Sequence, residues 1–331
     1  MTNLQSYLFQ QILTQFPKRS DAVSALTSLL NVTPDAIYRR LRGDSVLTIN
    51  ETALLSSHFG VSLDAFVSSA RGQVTFDLHL FDQAASSLDQ FMENLRQILN
   101  SLKDLTEARV LSISSNVPIF YYALTPGLFK FKLFVWANTI WNVPFLRDQQ
   151  FSPQLFPPHI DQMIQRIKDD FFLVHSVELW SMSMVEDTLN QLAYFTYSGR
   201  FSHPGIVQQL YDELHVLIQT LQNFATDGSK SNVRQVLQGG FDLYHNEILH
   251  ASQTFLISSR DKPLVFMPFA TPSYVMTFDP VTCQHLEDWF EKIIRKSNPL
   301  SRANEKNRHF FFNQIFQKII FSRQRLDHLL E

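Results

Sequence analysis

Between Val23 and Phe66 the chain carries a dense run of helix start and stop signals, which constrains the fold more than any other feature of the sequence. Thr33-Pro34 reads as an N-cap and first helical residue, because proline loses nothing where the N–H is unpaired anyway. Gly43, after Arg42, reads as a stop in the left-handed conformation. Thr48-Ile49-Asn50-Glu51 is a capping box, with Thr and Glu spaced to satisfy each other's backbone donors. Gly60 ends that helix, and Ser62 caps a last one through Phe66. Thr27, Asn31 and Ile37 lie four and then six residues apart. They supply the small contact residue, the left-handed turn residue and the apolar anchor that two short, steeply crossing helices need. Asn is the non-glycine residue that best tolerates a positive φ. Together these signals describe an all-α N-terminal head of about five helices.

The same residues resemble the XRE (Cro/repressor) family of bacterial helix-turn-helix domains. The match is carried by Leu26, Leu30, Val32, Ile37, Gly43, Leu54, Leu55, the run Phe59-Gly60-Val61-Ser62-Leu63-Asp64, and Phe66, and spans about a fifth of the chain. Three positions depart from the family pattern. Asn31 replaces the usual turn glycine, Thr27 replaces the usual alanine, and Arg40 stands where an apolar residue is common, with Leu41 anchoring one position later. The resemblance implies a transcriptional regulator that acts as a homodimer and reads two half-sites of double-stranded DNA about one helical turn apart.

Within that reading the third helix enters the major groove. Ile37 and Leu41, four apart, face the core, so Asp35, Ala36, Tyr38, Arg39 and Arg42 fall toward the opposite side. Thr33 and Arg40 complete the candidate DNA-binding set, and Arg39, Arg40 and Arg42 crowd the helix end. Arginine takes guanine O6 and N7 bidentately, and Tyr or Thr binds phosphate oxygens. Asp35 is unusual near DNA; it favours its helix N-terminus electrostatically or accepts from cytosine N4. The plainer alternative is a solvated polar helix face.

Charge limits the mode of binding. Residues 1–70 carry Lys18, Arg19, Arg39, Arg40 and Arg42 against Asp21, Asp35, Asp44, Glu51 and Asp64, five against five. The whole chain has a net charge of −3. This argues against indiscriminate coating of nucleic acid, and affinity must come from local placement. Apolar residues make up 45 % of the 331, enough for a substantial core. A single cysteine, Cys283, excludes an intrachain disulfide and fits a reducing cytoplasm. The N-terminus lacks a signal-peptide pattern. Val110–Phe129 is uncharged but interrupted by Pro118, Pro126 and Gly127, so buried strand-turn-helix is favoured over a membrane span.

Ser68–Gln73 reads as a linker, dividing the chain into a helix-turn-helix domain at 1–72 and a larger α+β regulatory or oligomerisation region at 73–331, with an internal border near 226–232. Alternation at Val74, Phe76, Leu78 and Leu80 predicts a half-buried strand, and the apolar spacing from Leu88 to Leu102 a helix. Strands follow at Ala108–Ser112 and Val174–Trp180, and an antiparallel pair at Ile248–Ser258 and Leu264–Phe278. Helices are expected at Pro126–Trp141, His159–Phe171, Val185–Tyr197, Pro204–Ala225, Val281–Lys296 and Ser301–Leu330. The aromatics near Phe129–Trp141 and the stripe Phe312, Ile315, Phe316, Ile319 and Ile320 are candidate dimer surfaces, with packing inside their own domain the competing reading for the stripe.

Other constellations are weak. His245 and His250 are five apart, on different faces of a helix or strand, so metal binding is not expected. Cys283 and His285 lack further ligands, and Gly239-Gly240 lacks the spacing and lysine of a phosphate loop. Asp169-Asp170 and Glu186-Asp187 read as solvated helix faces. The aromatic block at 118–145 is read as core before ligand pocket. No cofactor and no catalytic residue is assigned. The expected protein is a DNA-binding regulator with a small-molecule or protein effector. The alternatives are an interaction module that has lost DNA binding, and an enzyme with a nucleic-acid-targeting head.

Overall fold

The computed structural model describes residues 3–64, 66, 73–80, 88–103, 105–141, 143, 146, 148–230, 239–247, 253–260, 262–270 and 273–330. The chain divides into two compact units, Met1–Phe76 and Asp77–Glu331. An all-helical beginning followed by a larger α+β region is the expected class.

In the N-terminal unit, α1 (Leu4–Leu13), α2 (Arg19–Leu30), α3 (Pro34–Arg42) and α4 (Ile49–Phe59) surround a core of Leu8, Phe9, Ile12, Val23, Leu26, Ile37, Leu55 and Val61. The caps lie where the sequence places them. Thr33 Oγ1 accepts from the Ala36 N–H, and Thr48 and Glu51 form the reciprocal capping box. Asn31 closes α2 in the left-handed region at φ 51°, its N–H donating to the Thr27 carbonyl. Of the expected last helix through Phe66, Asp64 and Phe66 are helical, Leu63 is a bend and Ala65 lies outside the described residues, as does most of the Ser68–Gln73 linker.

The second unit is built on an eight-stranded mixed sheet of β1 (Asp77–His79), β2 (Arg109–Ser114), β3 (His175–Trp180), β4 (Phe241–His245), β5 (Thr254–Ser258), β6 (Leu264–Ala270), β7 (Ser273–Thr277) and β8 (Asn298–Pro299). Its order is β1-β7-β6-β5-β2-β3-β4-β8, with β2, β3 and β4 parallel and the other pairings antiparallel. The parallel strands need helical crossovers. Helix α5 (Leu88–Lys103) precedes β2; the crossovers are α6 (Ile119–Tyr122), α7 (Pro126–Trp136) and α8 (Pro158–Phe172) between β2 and β3, and α9 (Glu186–Tyr197) and α10 (Gly205–Asp227) between β3 and β4. After β7 come α11 (Pro280–Ile294) and, last, α12 (Glu305–Leu330).

Strand alternation sorts the sheet into two faces. Leu111, Ile113, Leu179, Leu256 and Val265 meet Cys283, Phe290 and Ile293 of α11 on one side. The opposite side carries the large core, where Trp180, Phe241 and Leu243 meet the other helices of this unit. Gly239 is fixed by close approach: a Cβ there would lie 2.1 Å from the Val174 carbonyl oxygen.

Several expectations need correction. The strand read at Val74–Leu80 is confined to Asp77–His79, an edge strand on which Leu78 is exposed, as is Leu80 just beyond it. Leu264–Phe278 is two strands, β6 and β7, and β4 was not foreseen. Helix Pro126–Trp141 changes to π-helical geometry at Ala137. Phe129, Phe131 and Phe134 are fully buried, so they form no dimer surface. Most of the stripe on α12 also packs inside its own unit, with Phe312, Ile315 and Ile319 buried and Phe316 partly buried against the unit's core, whereas Ile320 is exposed. No helix of the described residues is long and apolar enough to cross a membrane.

Candidate functional site

On α3, Asp35, Tyr38, Arg39 and Arg42 follow the i, i+3, i+4, i+7 spacing of one helical face, and all four are exposed. Thr33 is exposed at the N-cap and Ala36 is half-buried beside Ile37, which is fully buried. The helix is held from below. Gln5 of α1 donates to the carbonyls of Arg40 and Ser45, at 2.8 and 2.9 Å, and accepts from the Leu47 N–H at 2.8 Å. Sequence reasoning missed this clamp because its partners are some forty residues away.

The three arginines separate. Arg40 does not share the exposed face: its guanidinium lies 2.7 Å from Glu51, and both side chains are mostly buried. Burial would raise the Glu51 carboxyl, but hydrogen bonds from the Thr48 N–H and hydroxyl, with the Arg40 charge, hold it below its ordinary value. Arg40 thus ties α3 to the start of α4. Arg42 lies 2.8 Å from Asp44, with both side chains at least half exposed. Such a surface pair is worth about 0–1 kcal/mol and exchanges readily for another anion. Arg39 has no carboxylate partner among the described residues.

In the second unit a buried polar network crosses the sheet. Glu178 accepts from Tyr121 Oη at 2.7 Å and Trp180 Nε1 at 3.2 Å, and from the Ser112 hydroxyl. Lys230, fully buried, donates to the Val174 carbonyl at 2.7 Å, Ser176 Oγ at 2.6 Å and the Phe171 carbonyl at 3.3 Å. Its ammonium sits 3.8 Å over the Phe171 ring. Burial pulls this lysine down to about 7, against the charge of Glu178. Glu178 and Lys230 each have three hydrogen-bond partners, which suits the network to fixing the α8–β3 corner.

The aromatic block divides between two roles. Tyr121, Phe129, Phe131 and Phe134 are core, whereas Phe120, Tyr122 and Trp136 line a cavity of about 290 Å³ between the sheet and α5, α6 and α7. His245 pairs with Glu247 at 3.0 Å, and His250 lies outside the described residues. No group of three metal-ligating side chains occurs among the described residues. Burial pushes the Cys283 thiol up to about 11, and His285 is exposed. Asp169 accepts from Gln165, and Glu186 pairs with Lys318 at 2.5 Å. Asp187 is exposed and accepts from Asn116 at 2.6 Å. Comparison of the chain with family models, curated proteins and solved structures returned no match.

Proposed function

We propose that the N-terminal unit is a helix-turn-helix of XRE type that reads double-stranded DNA through α3, and that the protein is a transcriptional regulator acting as a homodimer. The observation that carries this reading is the exposed Asp35, Tyr38, Arg39 and Arg42 face on a helix oriented by a left-handed Asn31 turn and the Gln5 clamp. Arg39 and Arg42 are the base- or phosphate-contacting groups, Tyr38 and Thr33 contact the backbone, and Arg40 acts by holding α3 to α4. With five acids against five bases in residues 1–70, one unit makes few phosphate contacts. A second copy turns the other half-site contact into an intramolecular event, raising apparent affinity by roughly 100- to 10,000-fold.

Selection from a random DNA pool tests the reading. A recovered motif with two half-sites about one helical turn apart is expected, and an unenriched pool overturns it. The pairing of Arg40 with Glu51 and of Arg42 with Asp44 favours a second reading, an interaction module without DNA affinity. A salt series separates the two, because phosphate contacts give a steep dependence on ionic strength and a neutral protein contact does not.

A further inference from the structure

The cavity of the C-terminal unit is floored by a register-matched set of side chains. Phe255, Phe266 and Met276 stand opposite one another across β5, β6 and β7, and Val110, Ile257 and Leu264 form the next row across β2, β5 and β6. Helix α5 closes the other side with Phe91, Leu95, Ile98 and Leu99. At about 290 Å³ it falls at the lower end of small-molecule sites, which run to roughly 300–1,000 Å³.

Its polar equipment is asymmetric. Lys132, 6 % exposed, lines the cavity and donates to Gln191 Oε1 at 2.6 Å, with its ammonium 5.0 Å from the Tyr122 ring centre. A lysine has three N–H donors, and no carboxylate of the described residues lies within ion-pair distance of this one. Of the acidic lining groups, buried Glu178 accepts from Ser112, Tyr121 and Trp180, and exposed Asp187 accepts from Asn116. Burial pulls the Lys132 ammonium down to about 7, with the Asp187 charge the opposing influence. A buried amine with spare donors thus stands at the wall of an apolar cavity with no carboxylate in direct contact.

We infer that this cavity binds an organic monoanion with an apolar body, its carboxylate accepting from Lys132 Nζ and Gln191 Nε2 and its apolar part lying against Phe120, Trp136, Phe255 and Phe266. A cationic ligand is disfavoured, because it would meet Lys132, and the buried lining carboxylate, Glu178, already accepts from Ser112, Tyr121 and Trp180. An aliphatic acid and a flat aromatic acid share this chemistry, and the probes separate them.

The test is titration calorimetry on the full chain, without DNA, so that its outcome is independent of the DNA-binding reading. The probes are dodecanoate, 2-naphthoate, dodecan-1-ol and dodecylamine. At least one carboxylate is expected to bind ten or more times tighter than the alcohol, with the amine weakest. Lys132→Met is expected to weaken that carboxylate by about 10- to 100-fold, the size of a lost charge-assisted hydrogen bond, and to leave the alcohol unchanged. Ile98→Trp, which fills the cavity from α5, is expected to abolish both. Failure of both carboxylates to bind at millimolar concentration, equal affinity of Lys132→Met, or preference for the amine overturns the assignment. Should Lys132→Met not fold, unchanged carboxylate binding by Ile98→Trp overturns it equally.

Discussion

Arg39 and Arg42 carry the sharpest consequence of the α3 geometry. If either makes a bidentate base contact, its replacement by Ala is expected to cost about 1–3 kcal/mol and to relax preference at one position. A phosphate contact would instead weaken all sequences alike and lower the salt slope by about one unit. Retained binding in an Arg39→Ala, Arg42→Ala double variant removes α3 from the interface. Glu51 gives a pH signature. Its carboxyl is held below its ordinary value in the fold, so its stabilisation is present above that value and is lost as pH falls through the folded one. Glu51→Gln is therefore expected to flatten the acid limb of thermal stability measured from pH 6 to 3. Lys132 works with the opposite sign. Its folded value, about 7, lies below that of a free lysine, so burial costs stability in full below pH 7 and is relieved as pH rises above it. Lys132→Met is expected to raise the melting temperature more at pH 6 than at pH 9, and an equal change at both would refute a buried, titrating ammonium. Tyr122, Asp187 and Gln191 are the groups facing it from α6 and α9.

Element by element, the helices of the N-terminal unit rest on local chemistry that a variant can remove. Thr48→Ala deletes the acceptor for the Glu51 N–H and is expected to cost about 1–2 kcal/mol in denaturant titration. Asn31→Ala forces an ordinary side chain to hold φ 51° and is expected to cost about 1 kcal/mol, whereas Asn31→Gly costs none of this. These caps were legible in the sequence because a cap spans three or four residues and its chemistry is self-contained. The helices of the second unit were legible by periodicity. Strand β4 was not, because Phe241, Asp242, Leu243, Tyr244 and His245 are too few to establish alternation. The β6–β7 break was signalled by Pro272 and passed over, since apolar residues run on either side of it. The cavity was invisible for another reason: its lining runs from Phe91 to Met276 and meets only through sheet register. The division of labour among Arg39, Arg40 and Arg42 likewise depends on Glu51 and Asp44, which the helix pattern alone does not place.

For the whole molecule, the N-terminal unit has its own buried core and its own caps. A Met1–Phe76 fragment is expected to unfold cooperatively with a mostly helical circular dichroism spectrum; an unstructured fragment would show that it depends on the remaining chain. The second unit has the opposite character, because its central strand β2 pairs on one side with β5, Arg109 standing opposite Ser258. Closing that pair spans 149 residues, the difference of those two positions, and the entropy of loop closure must be met before the contact rewards it. On a ribosome, the helical unit can complete its structure while the other is still being made. The β2 edge that β5 will cover must wait, open, until the chain has been made as far as Ser258. During synthesis that waiting edge, rather than any surface of the finished protein, is where a chaperone would be needed most.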